Sequence, residues 1–305
     1  MKLWNRAYLL ALIVLMLILG PAVVSIADDT ASGRDIAAKY GPSIVKVQII
    51  LKLTASYMGS SDNQEQKIEV TGTVVDPSGL TVISMSSTDP ADIMQLMYGD
   101  TEEMQIKSEV TDVKIRLADG KELPGKIVLR DKDLDLAFIR PVNKPSEPLP
   151  YLDITNNCKL DVLDQTVTVT RLGKVANRVI SASIGRIQAS VEKPRKFYTI
   201  GLNSNSSSSI LGSPVFSMDG KVLGIVLLRV MQGQSKESLM SGGMRESPVI
   251  PAIIPAEDIA PIAAQAPEDA PKPAVKPADA KKPASAPAKT PAKAPAASHP
   301  SKQAK

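Results

Sequence analysis

The sequence predicts an all-β protein in two domains of roughly 110 residues each, and three observations carry that prediction. Short β-rich runs recur between turn-forming residues, with little helical periodicity among them. Asp76-Pro77-Ser78-Gly79, Asp119-Gly120 and Asp219-Gly220 supply the turns, with proline pre-setting φ and glycine accepting positive φ. Residues 141–150 hold four prolines, a linker-like stretch that divides the chain into halves. Short strands spaced by turns build a sandwich or a barrel.

The elements follow in order. A short helix is expected over 35–40, stopped by Gly41-Pro42. Strands are expected at 44–53, 69–75, 80–84, 113–117, 121–129 and 135–140, then at 165–170, 179–187, 197–201, 215–217 and 221–230. Residues 57–66 read as a polar loop without chemistry of its own. Ile93, Met94, Leu96, Met97 and Met104 suggest a short amphipathic helix or loop, with packing over a rim favoured over an adaptable apolar surface.

Both ends read differently from this body. Lys2 and Arg6 precede the apolar run 7–19, broken only by Tyr8; Gly20-Pro21 follows, and Ser25 and Ala27 are the small residues a signal peptidase reads. Residues 1–27 are therefore expected to be a signal peptide, the competing reading being an uncleaved anchor through Val24. From 266 to 305 the chain is rich in Pro, Ala and Lys, a composition that cannot bury enough apolar area to fold. Residues 271–305 carry eight lysines against Asp279. With Lys2 and Arg6 also set aside, the whole-chain charge of +4 leaves about −5 on the body, so an acidic globule trails a basic arm. The expected organisation is 1–27 export segment, 28–145 and 146–265 β domains, and 266–305 disordered tail.

Residue counts exclude several chemistries. One cysteine, Cys158, allows neither an intrachain disulfide nor a cysteine-cluster zinc site, and reads as incidental. The single histidine, His299, lies in the tail, which leaves the body without an imidazole for acid–base work or metal ligation. No cofactor or metal is expected. Asp131, Asp133 and Asp135 alternate like calcium ligands, but the sixth-position glycine and the closing glutamate are missing, so a solvated approach to a strand is the better reading.

Three motifs in series resemble the HtrA/Deg branch of the trypsin-like serine proteases. Residues 72–87, Gly-Thr-Val-Val-Asp-Pro-Ser-Gly-Leu-Thr-Val-Ile-Ser-Met-Ser-Ser, resemble the strand–turn–strand that carries that family's catalytic histidine. Residues 113–140 are similar to the segment ending in its aspartate, and 210–225 to the segment holding its serine. Flanking pieces at 36–47, 159–169, 180–187 and 253–259 resemble its opening strand, the start of its second barrel and its closing strand and helix. The resemblance implies two packed six-stranded antiparallel β-barrels with an active site between them.

It also implies a triad, and here the sequence departs from the pattern. Asp135 matches the family's aspartate. Ser84-Met85-Ser86-Ser87 aligns with Thr-Asn-Xaa-His, so Ser87 stands at the histidine position, and a hydroxyl is no general base near neutral pH. Ser209-Ile210-Leu211-Gly212-Ser213-Pro214 aligns with Gly-Asn-Ser-Gly-Gly-Pro, so Leu211 stands at the nucleophile and the glycine opening the oxyanion loop is absent. Ser209, Ile210 and Gly212 are the oxyanion-loop equivalents. A slipped register using Ser206–Ser209 or Ser213 with Lys221 would need that lysine deprotonated, against its place in a hairpin. Without an imidazole, Asp135 is expected to accept hydrogen bonds from nearby hydroxyl or backbone groups, Ser87 first among them.

The expectation is thus an exported pseudoprotease, periplasmic or in the extracellular envelope, that acts by binding. The resemblance implies protein or peptide clients, or an active protease relative as partner. The basic tail is expected to serve as a spacer or to hold anionic envelope polymer, with no specific nucleic acid. The rival readings are an active serine endopeptidase and a structural envelope protein.

Overall fold

The structure is a computed structural model and describes residues 29–57, 60–89, 104–201, 209–230 and 249–268. The expectations placed on the export segment, on 90–103, on Ser206–Ser208 and on the tail with His299 lie outside the described residues.

Twelve described strands close into two six-stranded antiparallel barrels, as expected. The first contains β1 (Ile44–Tyr57), β2 (Ser60–Val74), β3 (Thr81–Ser84), β4 (Met104–Arg116), β5 (Glu122–Asp131) and β6 (Leu136–Pro141), in the order β1-β2-β3-β6-β5-β4. The second contains β7 (Gln165–Arg171), β8 (Ile180–Val191), β9 (Phe197–Ile200), β10 (Pro214–Ser217), β11 (Val222–Val230) and β12 (Val249–Pro255), in the order β10-β11-β12-β9-β8-β7. Helix α1 (Asp29–Tyr40) precedes the first barrel and α2 (Ala256–Ala263) follows the second.

Side-chain alternation assigns each strand its two faces. On β1, Val45, Val47, Ile49 and Leu51 join Val74, Ile83, Val113, Ile115, Ala137 and Ile139 in the core of the first barrel. Strands β3 and β6 are buried on both faces: Ile83, Ala137 and Ile139 point into that core, while Val82, Leu136 and Phe138 join a larger cluster. Double burial explains why these segments are apolar runs rather than alternating ones. The larger cluster also takes Ile44, Leu80 and Leu134 from the first half and Val167, Phe216, Ile225 and Ile254 from the second. One continuous apolar core therefore crosses the seam between the barrels.

The segment read as a linker is not free. Leu149 N–H donates to Pro77 O at 2.9 Å and Leu152 N–H to Val74 O at 2.8 Å, and Leu152 and Ile154 are buried. The chain reaches the second barrel laid along the first.

Two further readings are corrected. Residues 60–66, read as part of a polar loop, belong to β2, which pairs with β1 as far as Tyr57↔Ser60. This end of the hairpin is solvated on both faces, so it carries no apolar alternation; its ladder is joined by Thr54 Oγ1 donating to Asn63 Oδ1 at 2.7 Å. Helix α1 starts at Asp29 rather than 35, because its buried face is only Gly33 and Ile36 and leaves little periodicity to read. Tyr40 fixes its C-terminal end by stacking on Phe216 at 4.7 Å and donating to Gly220 O at 3.1 Å.

Candidate functional site

Asp135 sits just before β6 with φ of 60° and 6% exposure. Four donors surround its carboxylate. Ser84 Oγ donates to Oδ2 and Ser86 Oγ to Oδ1, each at 2.5 Å; Ser86 N–H donates to Oδ1 at 2.7 Å and Leu228 N–H to Oδ2 at 2.9 Å. Its own carbonyl accepts from Met85 N–H at 2.8 Å. Burial pushes the Asp135 pKa above the usual carboxylate value, and these donors oppose that shift without cancelling it.

The hydroxyls on Asp135 are thus Ser84 and Ser86, a correction to the expectation of Ser87. Ser87 closes the 3-10 turn Met85–Ser87 and is half-buried. The last residue of β3 points into the protein, where Ser84 meets Oδ2, and the turn then brings the Ser86 N–H and hydroxyl together onto Oδ1. The sequence signal was present in the alignment that brought this strand end to Asp135, but it did not resolve which of three serines faces the carboxylate.

Leu211 lies on the other side of the seam. It is 8% exposed, packed with Ile210, Ile187, Tyr198, Leu223 and Val226, and Leu228 packs against the same cluster. Leu228 therefore links the two positions: its N–H holds Asp135 while its side chain touches the cluster around Leu211. The loop before β10 is tied down at each polar atom the structure pairs. Ser213 N–H closes a turn on Ile210 O at 2.9 Å, and Gly212 N–H donates to Val226 O at 2.7 Å. Gly212 O accepts from Thr73 Oγ1 at 2.8 Å, and Ser209 O accepts from Thr71 Oγ1 and Thr170 Oγ1 at 3.2 Å each. The Gly212 and Ser213 N–H groups, just after the nucleophile position, are thus both bound to carbonyls.

A polar cluster in the seam went unread in the sequence. Lys46, on β1, is 4% exposed and donates from Nζ to Thr71 Oγ1 at 2.9 Å. Arg171 donates to Ile44 O at 2.6 Å, to Gly41 O at 3.0 Å and to Arg178 O at 2.9 Å. Arg178 holds Glu69 through two bonds of 3.0 and 2.6 Å. Burial lowers the Lys46 pKa; Arg171 and Arg178 add to that and Glu69 opposes it. A lysine with a lowered pKa beside a hydroxyl has the elements of a nucleophilic pair. Thr71, however, is 2% exposed and bonded between the barrels, so no substrate reaches it. These partners are separated by as many as 138 positions, which no local pattern could reveal.

The remaining candidates separate. Lys221 is half-exposed and paired with Asp219 at 3.1 Å, in the solvent-facing position its hairpin implied. Ser213 Oγ is buried and donates to Thr170 Oγ1 at 2.8 Å. Of the three alternating carboxylates, Asp131 accepts from Leu134 N–H, Asp133 is exposed near Arg195 at 3.6 Å, and Asp135 is buried. Cys158 is partly buried, which pushes its thiol pKa up.

A family model described as a trypsin-like peptidase domain matches residues 70–225, just over half of the chain. The chain belongs to the trypsin-like peptidase family. Within that family it is similar to the putative protease Do-like 14 of Arabidopsis thaliana, at 23% identity over 209 residues, covering 65% of this chain and 44% of that protein. It is also similar to the periplasmic pH-dependent serine endoprotease DegQ of Escherichia coli (strain K12), at 27% identity over 121 residues, covering 39% and 26%. This trypsin-like chain thus spans less than half the length of those relatives, and both likenesses agree with the HtrA/Deg resemblance of the motifs.

Proposed function

We propose that this trypsin-like protein is an exported pseudoprotease that acts by binding extended or unfolded polypeptide in the cell envelope. The observation that carries the reading is the state of Asp135. Its carboxylate is taken up by serine hydroxyls and backbone N–H groups rather than by an imidazole, and the sequence provides no histidine before His299. A triad aspartate works by orienting an imidazole that accepts the nucleophile's proton; among the described residues no imidazole reaches Asp135, and Ser87 and Leu211 stand at the positions of the proton acceptor and the nucleophile. Leu211 packs as core in the nucleophile's place. Both barrels are closed, but β2 before Thr73 runs past β3 and β4 before Lys114 runs past β5, which leaves strand backbone able to pair with an extended peptide. The name of the DegQ relative supports envelope location and polypeptide as ligand. An active protease of the same compartment is a further partner of this kind.

Incubation with unfolded casein, read by intact mass, tests the proposal. Intact casein, with binding detectable by co-elution, is the expected outcome. Cleavage that survives further purification, together with labelling by a serine-directed fluorophosphonate, would establish an active endopeptidase instead, the activity that both relatives' names suggest.

A further inference from the structure

The connection from the first barrel to β7 ends in a tight turn, Asp161-Val162-Leu163-Asp164. Asp164 N–H donates to Asp161 O at 3.1 Å, and Leu163 occupies the third position with φ of 76°. That is a conformation glycine takes readily and a branched apolar residue rarely does. Both carboxylates turn back onto the turn's own backbone: Asp161 N–H donates to Asp164 Oδ2 and Val162 N–H to Asp161 Oδ1, each at 2.7 Å. Arg186 donates to Leu163 O at 2.7 Å, and Leu163 N–H donates to Ile187 O at 2.9 Å. The turn is held firmly by its polar groups while its two apolar side chains face outward, Val162 at 45% and Leu163 at 67% exposure.

The same turn lies where the chain emerges from its N-terminal segment. Gln165, two residues on, donates from Nε2 to Asp29 Oδ2 at 2.8 Å, and Asp29 is the first residue of α1. The anchor, read through Val24, ends five residues before Asp29, a tether of at most about 18 Å when fully extended. Ile184, on β8 against Gly33 of α1, adds a third exposed apolar side chain on this side.

We propose that, where the apolar run is retained as a membrane anchor, the Val162–Leu163 turn docks into the lipid interface beside it and orients the barrels on the bilayer. Two small apolar side chains alone give only weak membrane binding. A tether of this length makes the contact intramolecular, so a weak contact suffices. Asp161 and Asp164 pair only with backbone N–H groups in this turn, so anionic headgroups would be repelled and the occupant is the apolar interface of a zwitterionic bilayer. The inference goes beyond the proposed peptide binding and stands independently of it.

The test uses the full chain in phosphatidylcholine vesicles, with Cys158→Ser and a single environment-sensitive fluorophore on Leu163→Cys or, in a second variant, Val162→Cys. Val175 is the control, because it is fully exposed but follows β7 at the opposite end of the β7–β8 hairpin. A blue shift and quenching by a lipid-borne quencher at 163 and 162, with neither at Val175→Cys, is expected. An aqueous spectrum at both turn positions overturns the proposal. So does an equal response at 175, or failure of the chain to float with the vesicles. Casein binding or cleavage is unaffected by either result, which keeps this test separate from that of the proposed function.

Discussion

Asp135 and Lys46 are both buried charge-bearing groups, yet the protein treats them differently. Asp135 has four donors and is held as a carboxylate would be, although burial still raises its pKa. Lys46 is buried with one side-chain acceptor, Thr71 Oγ1; burial first, and then Arg171 and Arg178 against the opposing Glu69, disfavour its charged form. A pKa lowered in the folded state means that protonated Lys46 costs stability below its folded pKa. That cost is relieved as the pH rises from the lowered value towards 10.5. Lys46→Met should therefore lie within about 1.5 kcal/mol of wild type at neutral pH, since Glu69 keeps both bonds to Arg178 and Thr71 still donates to Ser209 O. Wild type should then gain on the variant as the pH rises through that window. Urea unfolding of both proteins at a series of pH values checks this, because titrations common to both cancel in the difference. A gap that stays constant would mean that Lys46 is already neutral or is better solvated than its burial implies.

Turns and strands explain most of what could be read in advance. The Asp-Gly turns were legible because Gly120 and Gly220 adopt φ of 88° and 80°, which leaves a chemical mark on the sequence. The doubly buried β3 and β6 were legible as apolar runs. The polar end of the β1–β2 hairpin was not, since strands solvated on both faces are held by backbone pairing that any residue can make. The aspartate position was readable from its motif, whereas its donors and the Thr71 seam depend on contacts between distant segments. Gly212 shows the limit well: φ of 83° suits glycine, but the tighter demand is that a Cβ there would sit 2.1 Å from Thr71 O. Gly212→Ala should cost roughly 3 kcal/mol or more. Gly120→Ala, with similar φ and open space around it, should cost only about 1–2 kcal/mol. Thermal unfolding of the pair separates the two causes; equal losses would show that the seam gives way around Gly212.

At the scale of the whole molecule, the ordered body continues slightly past the expected boundary at 265. Ala266 is buried and Pro267 O accepts from Arg140 Nε. A truncation after Glu268 should therefore keep the midpoint of thermal unfolding, whereas one after Gln265 should lower it. The longer form tests the tail as well: without its lysines, binding to anionic envelope polymer should be lost, and in the full chain that binding should weaken steeply with salt. Unchanged retention on polymer after truncation would assign the attachment to the body. The two barrels share one apolar core and a docked connection, an arrangement the linker-like composition of 141–150 did not convey.

The two ends of this body are crossed. Helix α1, made before either barrel, packs on β7 and β8 of the second, while the segment after α2 returns to Arg140 of the first. During synthesis the helix must wait for Phe216 and Gly220, up to 180 residues later, a delay of roughly 9–36 s at ordinary translation rates. The part of the protein that leaves the ribosome first is among the last to find its place, and for that interval Ile36 and Tyr40 are exposed to any chaperone that meets the nascent chain.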